Sequence, residues 1–142
     1  MSVGLLIITH NRIGQELLHT ARTILGTCPL ATAHLDVAQD SNPEHMVSRG
    51  TNLLSRLDSG DGVLILTDAF GATPSNVAVR LGDQAGTAVV SGVNLPMLLR
   101  VLNYPDLDLP ALRDKAYTGG RDGVLLVDLS PLEQPRRHER RR

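Results

Sequence analysis

The sequence predicts an α/β fold: an open, doubly wound, mostly parallel sheet with helices on both faces. Three observations carry this reading. Short apolar runs such as Val3–Ile8 and Val63–Leu66 are hydrophobic on both sides, as strands buried between helix layers are. Other segments space their apolar residues by three and four, the mark of an amphipathic helix. The two kinds alternate along the chain, which is the order of successive βαβ units.

Each element has its own signal. Val3–Ile8 is the first strand, and Ile13, Leu17, Leu18, Ala21, Ile24 and Leu25 form the apolar face of the first helix, with Gly26 as its C-terminal cap. Leu30–Val37 resumes strand character. Ser41-Asn42-Pro43-Glu44 has capping-box spacing and opens a helix whose apolar face is Met46, Val47, Gly50, Leu53, Leu54 and Leu57. Asp61-Gly62 turns the chain into the strand Val63–Leu66. A short helix is expected from Pro74 to Leu81, with Thr73 as its N-cap, then a strand at Thr87–Val90. Pro96 opens a helix over Leu95–Leu102. A short helix around Ala111–Tyr117 precedes Gly119-Gly120, and Gly123–Leu129 reads as a last strand.

Composition narrows the function. The 142 residues make one domain of ordinary size, 42% hydrophobic and 20% charged. That domain is expected over residues 1–130, followed by a basic, disordered tail at 131–142. Residues 135–142 hold five arginines and one glutamate, a charge of +4, which leaves −5 on residues 1–134 within the net of −1. Aromatic residues are only 2%, too few for a base-stacking surface, so no nucleic-acid partner is expected. The single cysteine, Cys28, is expected as a small buried hydrophobe. No run approaches the roughly 18 apolar residues of a membrane span, and no basic region precedes the first apolar run, so a cytoplasmic protein without membrane insertion is expected.

In doubly wound sheets ligands sit beyond the C-terminal ends of the strands. Two loops fall there: Thr9-His10-Asn11-Arg12 after the first strand, and Thr67–Asn76 after the third. A neutral imidazole is a nucleophile near pH 7 provided that one ring nitrogen is held protonated by an acceptor. His10 supplies the ring and Asp68 the acceptor. Gly71 permits a close backbone approach or a positive φ, and the N–H groups opening the next helix, around Thr73 and Ser75, suit an anion such as a phosphoryl oxygen. A receiver domain also carries an aspartate after its third strand, but it needs acidic metal ligands after the first strand, where this chain has Thr9-His10-Asn11. That reading is rejected, and no metal or cofactor is expected. His19, His34, His45 and His138 are expected to be structural or solvated. Arg12 fits contact with a phosphoryl group or donor protein as well as it fits a solvated helix start.

At these residues the chain resembles the enzyme IIA domain of the mannose family of the bacterial phosphoenolpyruvate-dependent sugar phosphotransferase system. The resemblance covers about residues 3–128. It rests on Val3–His10, on Thr67-Asp68-Ala69-Phe70-Gly71-Ala72-Thr73-Pro74-Ser75-Asn76 and on Ser91-Gly92-Val93-Asn94-Leu95-Pro96-Met97-Leu98. It implies a phosphohistidine carrier, in which the residue matching His10 takes a phosphoryl group from the phosphocarrier HPr and passes it to a histidine of enzyme IIB. The residue matching Asp68 would orient that ring, and the one matching Thr73 would lie near the phosphoryl group. It also implies a homodimer in which an edge strand, here near 123–129, is exchanged between subunits. The family usually reads Asp-Leu-Phe-Gly-Gly-Ser-Pro where this chain has Ala69, Ala72 and Thr73, and often has Gly where Asn11 stands. Ala72 allows less backbone freedom than Gly, and Thr73 keeps the hydroxyl while adding a methyl. No IIB-like segment follows within the 142 residues. Two alternatives to a transport role therefore stand: a regulatory protein whose phosphorylation state controls a partner, and the phosphotransferase subunit of dihydroxyacetone kinase.

Overall fold

The two runs that are apolar on both sides occupy the middle of the sheet. A computed structural model describes residues 2–130 and contains strands β1 (Gly4–His10), β2 (Thr32–Val37), β3 (Val63–Thr67) and β4 (Thr87–Ser91). The strands are all parallel, in the order β2-β1-β3-β4. Five helices accompany them among the described residues: α1 (Ile13–Leu25), α2 (Pro43–Leu57), α3 (Thr73–Leu81), α4 (Leu95–Leu102) and α5 (Leu109–Asp122).

Strand side chains alternate, so each strand feeds two cores. Leu5, Ile7, Leu64 and Leu66 pack with residues of α1, α4 and α5, including Leu18, Leu98 and Leu112. Leu6, Ile8, Val63 and Ile65 pack with α2 and α3 through Met46, Leu54, Val77 and Leu81. The edge strands β2 and β4 are only partly buried. From β1 the chain steps to one side to form β2, then crosses back to place β3 on the other side of β1. The crevice between the C-terminal ends of β1 and β3 is thus the point where the winding reverses, and it lies open to a ligand.

Several boundaries differ from the sequence reading. α2 is capped by Asn42, whose side chain accepts from the His45 N–H, and not by the Ser41–Glu44 box. The Ser41 hydroxyl accepts from the Ala38 N–H instead, and Glu44 forms a two-point contact with Arg80 at 2.9 and 3.0 Å. α3 begins one residue early, so Thr73 lies inside its first turn and Ala72 is the N-cap, with no side-chain cap bond. α5 runs through Gly119 and Gly120. A Cβ on Gly119 would stand 2.7 Å from the Cβ of Arg100, and one on Gly120 would stand 2.6 Å from Cε of Met97. These glycines let α5 lie close on α4 and do not end it. Residues 124–130 form no strand within the chain; Gly123 caps α5, and Val124, Leu125, Val127 and Leu129 are exposed. None of the four strands pairs with this segment, so the last strand expected at Gly123–Leu129 is not formed among the described residues. Cys28 is half-buried against the α1-side core. The basic tail at 131–142, with His138, lies outside the described residues.

Candidate functional site

The register of the sheet brings the two loops together. Ile8 is paired with Thr67, so His10 extends two residues past the end of the β1–β3 ladder, where Asp68 follows β3. Asp68 Oδ2 accepts from the His10 backbone N–H at 2.9 Å and lies 2.8 Å from His10 Nδ1. Its other oxygen, Oδ1, accepts from the Ala69 N–H at 2.8 Å. An ionised carboxylate only accepts, so the ring proton belongs on Nδ1 and the lone pair is left on Nε2. The His10 side chain is 44% exposed and that of Asp68 14%, so the ring is open to a partner while its orienting group is sheltered. Burial pushes the Asp68 carboxyl up, but the hydrogen bonds from the His10 N–H, the His10 ring and the Ala69 N–H outweigh it. The group is held below the usual carboxylate range.

The backbone on either side of His10 is fixed by contacts that sequence patterns did not single out. Asn11 has φ +49, a conformation asparagine tolerates better than most residues, and its N–H donates to the Val37 carbonyl at 2.9 Å. The Thr9 hydroxyl accepts from the Gly14 N–H at 2.7 Å and so caps the start of α1. Gly14 has no room for a side chain, since a Cβ there would lie 2.8 Å from Cγ2 of Ile7. An Asn between a strand and a helix, with a Gly three residues on, was the available signal for this tight turn.

The third component is the start of α3, which packs over β1. Gly71 takes φ +91, with open space where a Cβ would be, so the turn requires its backbone and not its small size. The Asn76 N–H makes the first helical bond, to the Ala72 carbonyl at 2.9 Å. Of the preceding N–H groups, Pro74 has none, and those of Thr73 and Ser75 belong to the unpaired set at any helix start. With alanine at the N-cap, no side chain covers them. Thr73 is exposed at this end, whereas Ser75 is buried. His10 and Asp68 are therefore in direct contact, and Gly71, Thr73 and the backbone of Ser75 form the adjoining turn. The arrangement offers a bare imidazole nitrogen, a carboxylate to offset charge on the ring, and an uncapped helix start suited to anionic oxygens.

Residues 4–114 match the family model EIIA-man, described as the PTS system fructose IIA component. The chain belongs to the EIIA-man family. It is 33% identical over 137 residues to the PTS system mannose-specific EIIAB component of Escherichia coli, which aligns with 94% of this chain. The chain spans 42% of the length of that relative. It is also 27% identical over 116 residues to the transcriptional regulatory protein LevR of Bacillus subtilis, matching 78% of this chain and 12% of LevR. Among solved structures, the mannose/sorbose specific IIA subunit of the phosphotransferase system from Enterococcus faecalis superposes with a TM-score of 0.80 at 26% identity. That match covers 91% of this chain and 97% of the other. That subunit thus shares the overall fold of this chain.

Proposed function

We propose that this EIIA-man chain is a phosphohistidine carrier that holds a phosphoryl group on His10 Nε2. The Nδ1–Asp68 contact of 2.8 Å is the observation that carries the reading, because it fixes the tautomer that makes Nε2 the nucleophile. Nε2 attacks the phosphorus of a donor phosphohistidine; the donor P–N bond breaks as the new P–N bond forms. The Nδ1 proton stays in the bond to Asp68, whose charge offsets the positive charge gained by the ring. The Thr73 hydroxyl and the first N–H groups of α3 hold the phosphoryl oxygens. Passing the group onward is the same step in reverse, toward an acceptor imidazole.

In this reading HPr is the donor and an enzyme IIB histidine is the acceptor in sugar uptake, in the cytoplasm. The apolar segment 123–129 is the strand exchanged in a homodimer. The likeness to LevR supports a second reading, in which the phosphorylation state of His10 controls a regulatory partner. Adding a dianionic phosphoryl group to the ring suffices to change docking there. Incubation with phosphoenolpyruvate, enzyme I and HPr, followed by mapping of the modified residue, tests the assignment. Acid-labile label on His10 is expected, and none in a folded His10→Ala variant; label retained by that variant overturns the proposal.

A further inference from the structure

β2 is an edge of the sheet and pairs only with β1 among the described residues. Two bonds fix which of its backbone groups face inward: the Leu5 N–H donates to the Ala31 carbonyl and the Asn11 N–H to the Val37 carbonyl. In a parallel pair the N–H and C=O of one residue point the same way, and the direction alternates along the strand. Residues 31, 33, 35 and 37 therefore face β1, and Thr32, His34 and Asp36 turn their N–H and C=O groups outward.

Both flanks of this edge are cationic. On the α1 side Arg12 and Arg22, with one carboxylate, Glu16, line together with His19 and His34 a cavity of ≈ 380 Å³. On the α2 side Arg49 and Arg56 line one of ≈ 210 Å³, which His34 also borders. Residues 1–134 contain nine of the 14 lysines and arginines and carry −5 overall, yet four of those nine stand here. Arg22, Arg49 and Arg56 have no carboxylate partner among the described residues; Arg22 donates to the Thr32 hydroxyl at 2.6 Å. Arg12 has only the exposed Glu16 at 3.3 Å, and the nearby Asp36 carboxylate is taken up by His34 Nδ1 at 2.9 Å.

We infer that the outer edge of β2 docks an acidic, extended segment of a partner protein, which adds to the sheet as a further strand. Such a segment sends successive side chains to opposite faces, so its carboxylates reach both cavities while its backbone pairs with Thr32, His34 and Asp36. A small anion fills only one cavity, because the β2 backbone lies between them. Charge on a sheet edge also discourages unwanted pairing, but that purpose does not call for unpartnered arginines on both flanks. The site is separate from His10, so its failure leaves the carrier reading untouched.

The test is a titration of the full chain with fluorescein-labelled heptaglutamate, read by anisotropy and by amide NMR. Saturable one-to-one binding is expected, with the largest shifts at the Thr32, His34 and Asp36 amides. The double variant Arg49→Glu/Arg56→Glu alters two exposed side chains. It should bind at least tenfold more weakly while accepting phosphoryl groups at the wild-type rate. A Glu-Pro repeat with the same number of carboxylates, laid along the edge with its Glu N–H groups toward β2, sends all its glutamates to one face, so they reach only one cavity and it should bind at least fivefold more weakly. No saturable binding, equal binding of the two peptides, an unaffected double variant, or displacement by inorganic phosphate at equal charge would each overturn the inference.

Discussion

Replacing Asp68 by asparagine separates the charge and acceptor roles of this side chain from its shape. The carboxylate accepts at both oxygens: Oδ2 from the His10 N–H at 2.9 Å and from Nδ1 at 2.8 Å, and Oδ1 from the Ala69 N–H at 2.8 Å. An amide has one acceptor oxygen and an NH₂ group. With the oxygen toward His10, the NH₂ confronts the Ala69 N–H. Flipped, it confronts the His10 N–H and favours the ring tautomer protonated on Nε2, which is not nucleophilic. Either way a donor faces a donor, in a side-chain position only 14% exposed to solvent. A hydrogen bond to a charged group contributes about 1.5–3 kcal/mol. At about 1.4 kcal/mol per factor of ten, phosphoryl transfer to the variant should slow roughly 10–150-fold. Folding stability should fall by about 1–3 kcal/mol, the usual cost of a buried polar group left unsatisfied. Rapid-quench transfer from phospho-HPr at neutral pH measures the first effect and urea unfolding the second. The sign of the pH dependence follows from the lowered Asp68 pKa. A group held below its unfolded value adds stability that is fully present above that value, about 3.9, and is lost as pH falls through the folded value. Wild-type stability should therefore drop toward the variant's in acid, so the two curves converge. Equal transfer rates, or stability curves that stay parallel down to the acid limit, refute the role given to Asp68.

Two further substitutions probe the neighbouring elements. Thr73→Ala should leave unfolding within about 0.5 kcal/mol of wild type, because the exposed hydroxyl caps nothing, yet slow transfer about 2–12-fold through loss of one hydrogen bond to the phosphoryl group. Thr73→Ser should restore the rate in the same quench assay. Gly4→Ala places a Cβ 2.6 Å from the Leu57 carbonyl oxygen, a backbone atom that cannot swing aside, and should cost about 1–3 kcal/mol by urea unfolding.

What the sequence displayed and what it hid divide along the range of the interaction involved. Strand ends are set by where an apolar run stops, which is local, so placing His10 and Asp68 at the C-terminal ends of the first and third strands needed only the runs Val3–Ile8 and Val63–Leu66. Their contact then follows from any topology in which those strands are neighbours. Caps turn on competition between adjacent residues. Asn42 displaced Ser41 because the Ser41 hydroxyl serves the Ala38 N–H, and Thr73 entered the helix because Ala72 is the last residue with extended backbone before it. Gly119 and Gly120 read as a break until α4 is seen against them, since the pressure for glycine comes from Arg100 and Met97, far away in sequence. His34 and Asp36 show the same limit for function. Their spacing of two places both on one face of β2, but only the strand order β2-β1-β3-β4 makes that face part of an edge flanked by arginines of two different helices. Chemistry borne by a single strand end can be read along the chain. A surface assembled from α1, β2 and α2 has no contiguous trace in it, and charge reversal at Arg49 and Arg56 is the perturbation that reports on such a surface without touching His10.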